Sequence, residues 1–360
     1  MRPGRLEVLF CLAVLFLSVS SGISAAENLD GFLEKFRAQQ NFPGLAALVL
    51  KNGMVHAEGA AGVRKYGSPE RLTVRDKFHI GSNTKAMTAT LAAMLVEQRR
   101  LSWNATPPQL FPELAPQLHA AWGGATLELL LGHRAGAPVN ADVPQTGTIG
   151  EQRIAYLRQV VARPPEHSPG SRFLYSNAGY IMAGAMLERA SGKTWEDLMR
   201  EMLFTPLGMQ SCGFGPPPQQ GGVDNPWGHQ RSDSGFVAYN LDNPPYLGPA
   251  GTVHCTLQDY ARFALLHMRK DKLLSKASFE KLQSPPAGET YALGWIVVPR
   301  GWAGGRALNH NGSNTTNYFC VWLAPTRGFG VIIATNLGGD VAAIGKQVDA
   351  VASALVQRFN

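Results

Sequence analysis

Lys77-Phe78-His79-Ile80-Gly81-Ser82-Asn83-Thr84-Lys85 runs directly into the Ala-, Met- and Leu-rich stretch Ala86 to Leu95. A turn at Ile80-Gly81 feeding such a stretch predicts a helix from about Ser82 to Gln98. Three residues apart on a helix is a rotation of about 300°, so Ser82 and Lys85 project from one face of its first turn. The partial positive charge of a helix N-terminus lowers amine basicity, which makes a hydroxyl beside an amine an activated nucleophile. The free N–H groups of the same turn can hold an oxyanion. A Ser-x-x-Lys taken alone also fits a capped surface helix, so its company decides.

Two further stretches keep that company, in order along the chain. Tyr175-Ser176-Asn177 follows Pro169-Gly170. In an extended segment residues two apart point the same way, so Tyr175 and Asn177 can face one cavity. A phenol beside a lysine ammonium is acidified and becomes a candidate base, and Asn177 can bind an amide carbonyl. His310-Asn311-Gly312-Ser313 then lies between strand-like segments, where Gly312 permits close backbone approach and Ser313 can offer a second oxyanion N–H.

Outward from these stretches the pattern is strands, helices, strands. An amphipathic helix is expected from about Asn28 to Gln39. Strands are expected at Leu45 to Leu50 and Met54 to Gly59, split by an Asn52-Gly53 hairpin turn. The middle, about 101–267, reads as helical patches at Leu127 to Leu131, Gly179 to Ala190, Trp195 to Leu203 and Asp259 to Met268. Thr256 is placed to cap the last of these. Gly213 to Gln220 and Asn243 to Gly251 are Pro- and Gly-rich loops, on which substrate choice is expected to depend. Strand signals return at Tyr291 to Val298, Tyr318 to Leu323 and Phe329 to Thr335, and a helix from about Val341 to Phe359 closes the chain. An α/β lobe built from about 27–100 and 268–360, with a mainly helical lobe inserted, follows from this order.

The ordered set Ser-Asn-Thr-Lys, Tyr-Ser-Asn and His-Asn-Gly resembles the penicillin-recognising serine hydrolases, in particular the class C β-lactamase, D,D-peptidase and related esterase superfamily. Pro169 to Asn177, Thr205-Pro206-Leu207-Gly208-Met209, Leu293-Gly294-Trp295 and Ala334-Thr335-Asn336 look like further landmarks of it, so that the likeness covers about 28–358. The resemblance implies an antiparallel sheet flanked by helices plus a helical lobe, with the site in the cleft between them. It implies Ser82 as nucleophile, Lys85 as its partner and Tyr175 as proton shuttle. Asn177 would orient the substrate, and the N–H groups of Ser82 and Ser313 would form the oxyanion hole. His310 and Gly312 would stand in the third motif, His310 at the place of the lysine of most such β-lactamases. His310 is partly neutral near pH 7, which weakens the β-lactamase reading. If it must be charged to hold a substrate carboxylate, KM should worsen above pH about 6.5. His133-Arg134-Ala135-Gly136 departs from the family's usual His-Thr-Ser-Gly and is expected to be local structure, an altered cleft floor being the alternative.

Residues 1–26 carry a charged start (Arg2, Arg5), a short apolar run from Val8 to Phe16 and small residues ending Ser24-Ala25-Ala26, the parts of a secretory signal peptide. A secreted or periplasmic protein with no membrane span after processing is expected. Without Arg2, Arg5 and Glu7, the 33 basic and 26 acidic residues of the chain leave a net charge of +6. The excess is scattered, with no basic groove for nucleic acid. Cys212, Cys255 and Cys320 remain after processing; an odd number allows at most one disulfide. No metal-ligand spacing appears, and no cofactor is expected. Ser191-Gly192-Lys193-Thr194 lacks the upstream glycine of a phosphate loop and reads as a boundary between helices. His79 and His254 read as hydrogen-bonded structural residues. The expected activity is acyl transfer through Ser82 on a small-molecule or peptide substrate, with cell-wall fragments one source. D-amino-acid peptides rank first, then β-lactams, then small esters. A penicillin-binding sensor or cell-wall-binding module with little turnover is the alternative.

Overall fold

The computed structural model describes residues 26–219 and 221–360. The leader expected over residues 1–26 lies, apart from its last residue, outside them. A seven-stranded sheet organises the α/β part, in the spatial order Glu27–Asn28, Met54–Gly62, Gly44–Lys51, Phe329–Thr335, Tyr318–Ala324, Gly305–Ser313, Ile296–Arg300. Every neighbouring pair is antiparallel except the short first one. The sheet therefore joins both ends of the chain, as the strand–helix–strand pattern implies.

The apolar run from Leu45 to Leu50 has no polar alternation because both faces of its strand are covered. Ala46, Leu48 and Leu50 point into one core with Met87, Leu91 and Leu95. Leu45, Ala47 and Val49 point into another with Leu33 of the helix Asp30–Gln40 and with Val348 and Leu355 of the helix Val341–Phe359. Asn52 and Gly53 both take positive φ, closing the expected hairpin.

The nucleophile segment begins with a turn of 3-10 helix, Gly81–Asn83, and continues as the α-helix Thr84–Glu97. That helix is buried on nearly all sides, between the sheet and the helical part. The latter holds Leu127–Leu131, Ile149–Val161, Asn177–Ser191 and Leu257–Arg269. Thr256 caps the last, accepting from the Asp259 N–H at 3.2 Å. Gly192 and Thr194 end one helix and cap the next, so Ser191 to Thr194 is a helix boundary.

Several elements depart from the sequence reading, the hairpin Gly228–Ser232 with Gly235–Tyr239 and the helix Lys276–Leu282 among them. The helix Ile149–Val161 was not expected, because its apolar stripe is interrupted by Arg153, buried as an ion pair with Glu188 and Glu196. The His310 motif lies within the strand Gly305–Ser313 and not between strands. Asn309 to Gly312 are poor strand formers, but pairing with Tyr318–Ala324 along the whole stretch, and with Ile296–Arg300 as far as Asn309, overrides their propensity. Tyr291 makes only an isolated bridge to Ile296, where the strand Ile296–Arg300 begins.

Candidate active site

The strand Gly305–Ser313 passes against the Ser82 turn so closely that a side chain at Gly312 would not fit. A Cβ there would lie 2.1 Å from Ile80 O and 2.7 Å from Ser82 N. A Cβ at Gly81 would lie 2.4 Å from Ser313 N. The backbones of Ser82 and Ser313 thus lie side by side, the arrangement an oxyanion hole of two N–H groups requires.

Lys85 Nζ is 3.1 Å from Ser82 Oγ and 2.8 Å from both Asn177 Oδ1 and Ala250 O. The side chain is fully buried and these three contacts are neutral oxygens. Burial without a counter-charge holds the amine well below the usual lysine range. A neutral amine has two N–H donors and one lone pair. Asn177 Oδ1 and the Ala250 carbonyl can only accept, so the N–H groups go to them and the lone pair faces the Ser82 hydroxyl. Asn177 is held in turn by its Nδ2–H, which donates to Asn140 Oδ1 at 2.9 Å.

Burial pushes the Tyr175 phenol above its ordinary value, outweighing the opposing effect of the Ser82 side chain beside it. This corrects the expectation that Lys85 acidifies it: a buried neutral amine supplies no charge to do so. Burial thus pushes the amine down and the phenol up, each toward its neutral form. The Tyr175 ring packs tilted against His133 at 4.2 Å between centroids, and His133 Nδ1 accepts the Ser176 N–H at 3.0 Å. His133, which the stretch shares with the family's His-Thr-Ser-Gly, therefore builds the wall behind Tyr175, while Arg134, one of the two departing residues, donates to Gly170 O at 2.6 Å.

His310 is also corrected. It is buried, its Nδ1–H donates to Asn311 O at 2.7 Å, and its Nε2 accepts the Tyr291 O–H at 3.0 Å. Burial lowers its pKa to about 3, so it is neutral at physiological pH and does not supply the cation that a lysine would.

Sequence reasoning missed Tyr291, Ala250 and Asp242. Tyr291 was read as a strand residue. Ala250 and Asp242 lie in or beside the Asn243 to Gly251 loop, whose composition marked it as irregular without showing where it packs. The short strand Val253–Thr256 pairs with Lys77–His79 and carries this loop onto Ser82. Asp242 Oδ1 stands 2.7 Å from His79 Nε2, while His79 Nδ1 accepts the Gly81 N–H at 3.1 Å. The pair ties the loop to the nucleophile turn. His254 Nδ1 faces Gly215 O at 2.9 Å, a structural contact as expected. The Gly213 to Gln220 loop was expected to shape substrate choice, but its described residues line neither part of the cleft. Cys212 is disulfide-bonded to Cys255, and Cys320 is a buried free thiol.

Known proteins resemble most of this chain. Penicillin-binding protein 4 of Amycolatopsis lactamdurans is 27% identical over 327 residues, covering 86% of this chain and 84% of that protein. Protein flp of Staphylococcus aureus is 22% identical over 322 residues, covering 87% of this chain but 64% of its own length, so the chain spans less than two thirds of that relative. Among solved structures, SurE superposes with a TM-score of 0.75 at 23% identity, over 92% of this chain and 75% of its own. Its structure with D-Leu gives 0.72 at 24%, over 91% and 74%. Those likenesses establish the fold, an α/β sheet flanked by helices. Residues 29–354 match the Beta-lactamase family model, and with its three motifs meeting at one cleft the chain belongs to that family.

Proposed function

We propose that the protein is an exported serine hydrolase that turns over small acyl substrates through an ester on Ser82, with D-amino-acid peptides as the first class. The observation that carries this is the buried Lys85 amine 3.1 Å from Ser82 Oγ, its other two contacts being oxygens that can only accept, so that in its neutral form its lone pair is left for the hydroxyl. In acylation Ser82 Oγ attacks the carbonyl carbon and its proton passes to Lys85 Nζ. The carbonyl oxygen becomes an oxyanion against the Ser82 and Ser313 N–H groups. Tyr175 gives its proton to the departing group and regains one from Lys85. Water then attacks the acyl carbon, its proton taken by the same groups in reverse, and Ser82 is released.

The SurE structure with D-Leu, a protein of the same fold found with a D-amino acid, supports placing D-amino-acid peptides first. The Cys212–Cys255 disulfide supports an oxidising compartment, as the leader at 1–26 also does. A slow-acylating sensor is less well supported, because nothing around Ser82 withdraws the base.

Intact-mass spectrometry during turnover of a D-amino-acid thioester tests the proposal. An adduct of acyl mass should appear on the wild type and be absent from Ser82→Ala. Turnover surviving in Ser82→Ala would overturn it.

A further inference from the structure

The cleft has two lobes that meet at Ser82 and Ser313. One, of about 510 Å³, is walled by Phe173, Tyr175, Tyr291, Ile296, Tyr318 and Val341, with Glu289 also in its lining. The other, of about 390 Å³, is mixed, with Asn140, Asn177, Asn243 and Asp142 in its lining beside Tyr246 and Leu247. Among the described residues, no arginine or lysine lines either lobe. Lys85, beneath Ser82, has its contacts filled by Ser82, Asn177 and Ala250. His310 uses one ring nitrogen on Asn311 O and the other on the Tyr291 hydroxyl, so it has no N–H left for an anion.

A substrate carboxylate placed in the first lobe would lose its water against aromatic and aliphatic walls, find no cation and face Glu289. Placed in the second, it would meet amides and Asp142. Burying an unpaired carboxylate is strongly unfavourable, and a like charge adds to the cost. A carboxamide or ester of the same shape carries neither penalty, and an ammonium group would be drawn to Glu289.

We infer that this cleft selects acyl substrates whose group next to the scissile bond is neutral or cationic, and rejects those bearing a free carboxylate there. The inference rests on the acyl-enzyme reading above and narrows its substrate class to blocked peptides, amides and esters. Both lobes lack a cation, so it holds whichever lobe receives the leaving group.

The test is a matched pair of thioesters, N-acetyl-D-alanyl-thioglycolate and its thioglycolamide, which differ only in carboxylate against carboxamide on the leaving group. Thioesters are reactive enough that any functional Ser82 will turn them over. The amide should show kcat/KM at least about tenfold above the acid, as expected for a charge that is desolvated without a partner. Glu289→Lys should shrink that ratio by a similar factor, because it replaces a like charge with a cation at the lobe. Equal rates, or preference for the acid, would overturn the inference while leaving the acyl-enzyme in place. No turnover of either by folded protein would overturn the acyl-enzyme reading, and this inference with it.

Discussion

Replacing Lys85 with Met tests the protonation state on which the chemistry depends. Methionine fills a similar volume and removes the amine from a site that is fully buried and has no counter-charge. The folded-state pKa of Lys85 is lowered below its ordinary value of 10.5. Between those two values the unfolded chain binds a proton that the folded protein does not. Stability therefore rises with pH across that window, by up to about 1.4 kcal/mol per unit for one group. For an amine unprotonated throughout, the wild type gains about 2.7 kcal/mol relative to Lys85→Met between pH 7 and pH 9. The tyrosines and histidines of the fold are common to both proteins and cancel in the difference. Guanidinium denaturation of the two proteins at pH 7, 8 and 9 measures it. The variant should also lose about 10²–10⁴ in kcat/KM, the usual worth of a positioned general base. A stability difference that is flat with pH would mean that Lys85 stays an ammonium in the folded protein, and would refute the assignment of the base.

Three other outcomes follow from the same geometry. Tyr175→Phe keeps the ring against His133 and removes the proton donor, so kcat should fall by about 10²–10⁴ for amides and much less for p-nitrophenyl esters, whose leaving group needs no proton; equal losses would exclude the donor role. His267 and His310 are lowered to about 3, and His229 and His254 to about 4, all by burial. Their depressed values mean that stability is full above pH 6.5 and is lost as pH falls toward 4, at up to about 1.4 kcal/mol per unit for each group; His267→Gln should flatten urea-unfolding midpoints over that range by one group's share. Asp242→Ala leaves His79 Nε2 without its carboxylate and loosens the Gly81 turn, so a loss of about 1.5–3 kcal/mol is expected together with a fall in kcat larger than any change in KM. Asp242→Asn should restore part of both, and a purely structural role would leave kcat of the folded variant unaltered.

Much of the fold was legible because its signals are local. The run from Leu45 to Leu50, the Asn52-Gly53 turn, the strand Phe329–Thr335 and the helix Val341–Phe359 each declare themselves by periodicity or turn chemistry. The helix Ile149–Val161 did not, since a buried arginine looks polar until Glu188 and Glu196 are found beside it. Ser82, Lys85, Tyr175 and Asn177 were legible from motif order, because the chemistry needs those residue types at those spacings.

The sequence by itself determined which groups meet: the motif order names a hydroxyl, an amine, a phenol and an amide, and the apolar runs dictate the sheet that carries them. Only the tertiary structure decided their protonation states and the character of the cleft. Burial among neutral oxygens pushes the Lys85 amine down, toward its neutral form, while burial pushes the Tyr175 phenol up and keeps His310 uncharged. Asp242 and Ala250 act on residues more than 160 positions away. Solvation and long-range contact are properties of the packed molecule, and neither is written in the spacing of residues along a chain.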